Sequence, residues 1–283
     1  MLMRLLRSLF GSAAAATHRA SQFPVEAVRK RIALFESAPV AEHLDILYRD
    51  CRIGAREFLP LYRDCIARSE THVSAWKSFI RVQSALNLAH YFLHALKLPG
   101  GRIECGVFRG FSALLVCEAA RAALAASGGY DGADLHLVDS FAGFPQPREQ
   151  DFIPLRDRTQ VVSGPAFQAG DAEAPEQHLR DLLAGFPKVA VHRGWIPQVY
   201  ATLPESAWSY VHIDVDLYEP TLASLEYFHP RMTPGGVIVC DDYGSTLFPG
   251  AHSAWDEFCE SAKLPFIVLE TGQAVLLTPG ARS

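Results

Sequence analysis

The pattern of this chain changes at Pro99-Gly100-Gly101, and that change limits the folds open to it more than any other feature. Beyond it, short apolar runs alternate with stretches of helical spacing. A short apolar run reads as a buried strand, and a longer amphipathic stretch between two runs reads as a crossover helix. Repeated, the alternation builds a parallel sheet wrapped by helices. The runs at 102–107, 134–138, 189–192, 210–215 and 236–240 are the expected strands. Those at 266–270 and 274–277 flank Thr271-Gly272-Gln273 and predict a closing antiparallel hairpin. Helices fit 112–126, 175–184, 220–229 and 252–262. The polar stretch 146–170 carries prolines and glycines and is expected to be a long loop, of the kind that often covers a site.

Before residue 99 the reading is helical, with apolar spacing at 25–37 and 76–96 and breaks at Pro24, Pro39 and Pro60. The expected organisation is therefore a helical cap over 1–98 and an α/β domain over 99–283. Arg4 and Arg7 precede Leu, Phe and Ala residues, but charge breaks that run before it can serve as a signal-peptide core. No run approaches the ~18 apolar residues of a membrane span. A cytoplasmic chain that engages no membrane is expected. A net charge of −5 argues against nucleic acid as a partner, because binding phosphates needs clustered Lys and Arg. Cysteines 51, 65, 105, 117, 240 and 259 form no CxxC pair and read as reduced thiols.

Two constellations carry chemistry. In the first, Ile103-Glu104-Cys105-Gly106-Val107-Phe108-Arg109-Gly110 ends a strand and opens a helix. Glycines there let backbone approach a ligand closely, and the helix start offers free N–H groups. Asp139 ends the next strand, where a carboxylate can accept from both ribose hydroxyls. G-x-G-x-x-G is missing, and Glu104 would repel a pyrophosphate but could hold an ammonium. S-adenosylmethionine thus fits better than a dinucleotide. A tight turn with a capping acid is the plain alternative. Asp171 is a further candidate adenine contact, or a solvated loop acid.

In the second, Asp214 and Asp216 stand two apart at one expected strand end, and Asp241-Asp242 follow the next strand. Extended geometry would put Asp214 and Asp216 on one face. Parallel strands finish at the same edge, so the four acids converge. Clustered carboxylates repel one another, and a hard cation held by oxygen ligands, Mg²⁺ or Mn²⁺, resolves this. Solvated strand-end acids are the alternative. Such a cation can acidify a substrate hydroxyl while a carboxylate takes the proton. No GxxxxGK[ST] or HExxH supports a nucleotide-using enzyme or a hydrolase. Leu217 to Tyr227 lacks the lysine expected of a catechol-type enzyme. A non-catalytic module would have no need to keep four clustered charges.

The stretches IECGVFRGFSA, LVDSFAGFPQP, VHIDVDLYEPTLASLEYFHPRMTPGGVIVCDDYG and PGAHSAWDEF resemble the macrocin O-methyltransferase family, whose members methylate sugar hydroxyls of antibiotics. The resemblance implies a Rossmann-like class I methyltransferase fold, with a seven-stranded sheet of order 3-2-1-4-5-7-6 whose last strand is antiparallel. It implies Mg²⁺ on Asp214, Asp241 and Asp242, with Asp216 as general base. It places S-adenosylmethionine against Glu104, Gly106, Asp139 and Ser140, and Val107, Gly110, Ser112, Asp171 and Asp214 complete the expected cofactor set. The acceptor is then a small molecule bearing a hydroxyl, and the N-terminal helices cover it and join copies into a homo-oligomer. After Gly194-Trp195 the chain is longer than the family's Lys-Asp-Thr-Leu-Pro stretch and lacks its acid.

Around these motifs, His212 reads as a packed, hydrogen-bonded strand histidine, with orienting a ligand carboxylate or acting as a second base as the alternatives. His252 reads as surface, with the acceptor in possible reach. Trp195 could stack on adenine or pack in the core. Tyr218 and Tyr243 are candidate pocket residues, Arg109 could meet a substrate carboxylate or serve as a cap or surface residue, and Asp256 and Glu257 read as a solvated helix face.

Overall fold

A computed structural model describes residues 48–71, 78–152 and 167–280, with 78–80 described in backbone only. The helix expected at 25–37 and most of the 146–170 loop lie outside these residues. The described residues from Tyr48 on form one compact unit.

A small hairpin, β1 (Arg52–Ile53) and β2 (Arg56–Glu57), leads into α1 (Phe58–Arg68) and α2 (Ser78–Ala95). Seven strands follow: β3 (Gly101–Cys105), β4 (Leu135–Asp139), β5 (Ala190–Arg193), β6 (Trp208–Ile213), β7 (Met232–Cys240), β8 (Ile267–Val268) and β9 (Ala274–Leu277). The helices between them are α3 (Phe111–Ala123), α4 (Glu176–Leu182), α5 (Tyr218–Phe228) and α6 (Pro249–Ala262). The sheet order is β5-β4-β3-β6-β7-β9-β8. Counted from β3, this is the order 3-2-1-4-5-7-6. β9 runs antiparallel to both neighbours, and every other pairing in the sheet is parallel.

β3 and β6 are buried along their whole length, as expected of central strands covered on both faces. Trp208, Phe228 and Trp255 are fully buried, and the Trp208 and Phe228 rings meet edge to face at 5.4 Å. Each such side chain contributes about 1.5–3 kcal/mol on burial. α2 and α3 pack on one another, and so do α5 and α6. No described helix is long and apolar enough to cross a membrane. None of the six cysteines is paired.

Register decides where the site falls. Cys105 pairs with Val138 on one side and Ile213 on the other, and Ile213 pairs with Cys240. One residue past that aligned rung stand Gly106, Asp139, Asp214 and Asp241. The order reverses direction at β3, which is where an open α/β sheet forms its ligand crevice.

Candidate active site

A cavity of about 950 Å³ opens at these strand ends. Gly106, Val107, Ser112, Asp139, Ser140, Asp214, Asp216, Asp241 and Asp242 all line it.

The glycine turn is shaped by close backbone approach. Gly106 has φ 83°, and a Cβ there would lie 1.9 Å from the Asp214 carbonyl oxygen. Asp139 Oδ2 accepts the N–H groups of Val107 at 2.8 Å and Phe108 at 3.0 Å, and its Oδ1 accepts that of Phe141 at 2.7 Å. The acid thus holds the turn, and a carboxylate with about four acceptor positions keeps capacity for a ligand. Gly110 opens α3 from φ 80°, packed against Leu179, and lies outside the lining. Ser140 Oγ accepts from Ala142 N at 3.1 Å.

Glu104 lies within β3 rather than in the turn, buried and off the cavity wall. It accepts a hydrogen bond from Ser112 Oγ and faces its cross-strand neighbour His212, Nδ1 to Oε1 3.5 Å. Asp171 is exposed and off the wall, with its Oδ2 accepting from Gln168 N at 2.8 Å. Its carbonyl accepts from Phe144 N at 2.8 Å, which ties its loop to the 140–144 turn.

Asp214, Asp241 and Asp242 each bring a carboxylate oxygen within 4.8 Å of the other two. The route by which Asp216 joins them differs from strand alternation. β6 stops at Ile213, and Asp216 sits in a turn with φ 62°, where Leu217 N reaches Val215 O at 2.6 Å. Left-handed backbone, not extended geometry, turns it into the cavity.

Electrostatics separate the four acids. Burial and the Asp241 charge push Asp214 up to about 7. Burial also raises Asp216, helped by Asp214, and raises Asp242, helped by Asp216. Asp241 goes the other way. Burial opposes its charge, but His212 and the Gln273 amide hold its pKa below the usual value. His212 is buried with Nε2 3.8 Å from Asp241 Oδ1. Burial opposes its charge too, yet the Asp241 and Glu104 carboxylates raise it to about 10. It is packed beneath the acids. Asp242 Oδ2 is buried without a hydrogen-bond partner among the described residues. An all-carboxylate cluster with an orphaned oxygen fits a hard divalent cation and offers no soft ligand.

Other candidates fall on or off the wall. Trp195 lines the cavity and is 45% exposed. Arg109 lines it but is paired with Glu70 at 2.7 Å. Tyr218 and Tyr243 do not line it. They turn to α6, where Tyr218 OH donates to Glu257 and Tyr243 OH donates to Asp256 Oδ1 at 3.0 Å. Asp256 and Glu257 are therefore tyrosine partners rather than a purely solvated face. His252 is on the surface, its Nδ1 3.0 Å from Tyr243 O.

Sequence reasoning missed Arg81, which projects from α2 to the wall and whose charge lowers Asp214, Asp216 and Asp241. It also missed Phe144 and Phe248, whose rings meet at 5.9 Å on the wall. Their loops carry no periodic signal. For Arg81, the one available signal was a lone formal charge on its helix.

Sheet order, switch-point crevice and the acids at its rim define a methyltransferase-type α/β fold. The chain belongs to the macrocin-O-methyltransferase (TylF) family, whose model matches residues 82–271. The mycinamicin III 3''-O-methyltransferase of Micromonospora griseorubida is 29% identical over 200 residues, 67% of this chain and 72% of that protein. The 8-demethyl-8-(2,3-dimethoxy-alpha-L-rhamnosyl)-tetracenomycin-C 4'-O-methyltransferase of Streptomyces olivaceus is 29% identical over 151 residues, 52% of this chain and 54% of that protein. The demethyldecarbamoylnovobiocin O-methyltransferase of Streptomyces niveus is 28% identical, covering 57% and 58%. The chain thus spans little more than half the length of two of these relatives. Among solved structures, the O-methyltransferase NovP superposes with a TM-score of 0.54 at 20% identity, covering 70% of this chain and 80% of that one. The calicheamicin methyltransferase CalS11 gives 0.57 at 19% identity, covering 94% and 99%. Those two likenesses are of fold.

Proposed function

We propose that the protein transfers a methyl group from S-adenosylmethionine to a hydroxyl of a sugar or sugar-like small molecule, with a divalent cation held by Asp214, Asp241 and Asp242. The observation that carries the reading is the convergence of a glycine turn and four carboxylates on one cavity at the β3–β6 switch point. The relatives named above, one of them acting on a rhamnosyl compound, support a sugar acceptor.

Each residue has a task in this reading. The backbone of Gly106 and Val107, fixed by Asp139, orients the nucleoside end, and Ser112 and Ser140 border it. Mg²⁺ or Mn²⁺, when bound, lowers the pKa of the acceptor hydroxyl. Asp216, whose proton affinity burial and the neighbouring Asp214 charge raise above that of an ordinary carboxylate, takes the hydroxyl proton as general base. Trp195, Phe144 and Phe248 exclude water around the acceptor, and Arg81 limits the repulsion among the acids. Glu70, Thr71 and Arg81 on the wall support a capping role for the described residues between 48 and 98.

The test is calorimetric titration of metal-stripped protein with S-adenosylmethionine and, separately, with Mg²⁺. Micromolar cofactor binding and a Mg²⁺ signal lost in Asp241→Asn are expected. No cofactor binding with or without Mg²⁺ would overturn the reading.

A further inference from the structure

Behind the acid cluster, four side chains form a line of hydrogen bonds that ends on Asp241. Tyr48 OH donates to Gln83 Oε1 at 3.1 Å. Gln83 Nε2 donates to Asn87 Oδ1 at 3.1 Å, and Asn87 Nδ2 donates to Gln273 Oε1 at 3.1 Å. Gln273 Nε2 donates to Asp241 Oδ1 at 2.7 Å. All four bonds run in one direction. A carboxylate can only accept, so the Gln273 amide must present its NH₂ to Asp241 and its oxygen to Asn87. The same argument then fixes Asn87, and after it Gln83. Each bond polarises the next.

Backbone places Gln273 there. The turn before β9 contains Gly272 at φ 90°, and Gly244, three residues past Asp241, donates its N–H to Gly272 O at 2.8 Å. A Cβ on Gly244 would lie 2.7 Å from Gly272 Cα, so the turns meet only as glycine on glycine. Thr271 Oγ1 gives Gln273 Oε1 a second donor at 3.0 Å. Gln273 is 1% exposed and sits outside the cavity lining, so it touches neither cofactor nor acceptor.

We infer that Gln273 is a positioning residue for the cation site: it pins Oδ1 of Asp241, so that the carboxylate presents its other oxygen toward Asp214 and Asp242, and Asn87 sets the Gln273 amide. The inference rests on the metal reading above. Without the amide, the side-chain partner left to Asp241 Oδ1 among the described residues is His212, whose Nε2 is 3.8 Å away.

The test uses the purified full chain and Mn²⁺, read by the loss of its free-ion electron paramagnetic signal, with S-adenosylmethionine affinity measured in parallel. Removing an outer-shell partner of a metal ligand typically weakens metal binding ~10–100-fold. Gln273→Leu is expected to fall in that range while cofactor affinity stays within about twofold, a split that general loosening of the fold would not give. Asn87→Leu, one bond further out, is expected to shift Mn²⁺ affinity in the same direction by less. It also carries the test should Gln273→Leu fail to fold. Wild-type Mn²⁺ binding with unchanged affinity in the folded variants overturns the inference alone. A wild-type chain that binds cofactor but no Mn²⁺ removes the metal reading, and the inference with it.

Discussion

Asp216 occupies a backbone region that few side chains tolerate, with φ 62°. Asn and Asp are the residues best suited to it, because their short polar groups bond locally. Asp216→Asn therefore keeps the turn and removes only the proposed proton acceptor. Cofactor affinity should stay within about twofold, while methyl transfer to a glycoside acceptor falls ~10²–10⁴-fold, the usual span for a lost general base. Full activity in this variant would remove Asp216 from the chemistry. Gly106 is constrained differently, since its missing Cβ lets β3 and β6 finish backbone to backbone. Gly106→Ala combines left-handed strain with a backbone clash, together about 3 kcal/mol or more. A fall in Tm of at least ~6 °C is expected, at roughly 2–4 °C per kcal/mol. At this scale the sequence was informative about identity and less so about geometry. The acids were legible because four of them cluster in two short motifs, but the left-handed turn at Asp216 has no periodic signature. Gln273 was illegible because its partner Asn87 is 186 residues away.

Among elements, the strands were readable because buried parallel strands are short apolar runs. β6 was placed two residues late at both ends, since Trp208 and Ser209 were left outside the run and Asp214 and Val215 were drawn into it. The β1–β2 hairpin was missed because two-residue strands are too short to show alternation. One contact ties the start of α5 to the loop after β4. Asp151, nearly fully buried, accepts the Tyr218 N–H at 2.8 Å and packs against Gly250. Burial raises its pKa. A carboxyl with a raised folded pKa binds more protons folded than unfolded, so it subtracts stability as pH rises above the ordinary carboxylate value. Asp151→Asn keeps an oxygen for Tyr218 N–H and has no charge to bury. Urea unfolding should find it at least as stable as wild type at pH 7, with that advantage gone near pH 3, where the wild-type carboxyl is protonated. Asp151→Ala leaves the N–H unmet and should be less stable at both, by about 1–3 kcal/mol. An Asn variant weaker than wild type at pH 7 would mean that the Asp151 charge supports the helix start.

The whole molecule gathers like charge at one point on its sheet. Asp214, Asp216, Asp241 and Asp242 face a single cavity, opposed from the protein by Arg81 on the wall and His212 beneath. Without a cation, that arrangement costs folding energy, and three of the acids respond by holding protons more tightly than usual. Removing one charge and supplying a cation should therefore act in opposite directions. In metal-free buffer Asp242→Asn relieves repulsion and should raise Tm above wild type. With Mg²⁺ at a hundred times its Kd, a native-state ligand adds ~2.7 kcal/mol. Wild type should then gain roughly 5–10 °C, and the variant, missing a proposed ligand, much less. The two melting curves are expected to exchange order on adding Mg²⁺. A variant that melts below wild type in both conditions would mean that Asp242 stabilises the fold as an ordinary buried acid. A wild-type Tm indifferent to millimolar Mg²⁺ would mean that the protein's own groups, Arg81 and His212 among those described, offset the cluster without a cation.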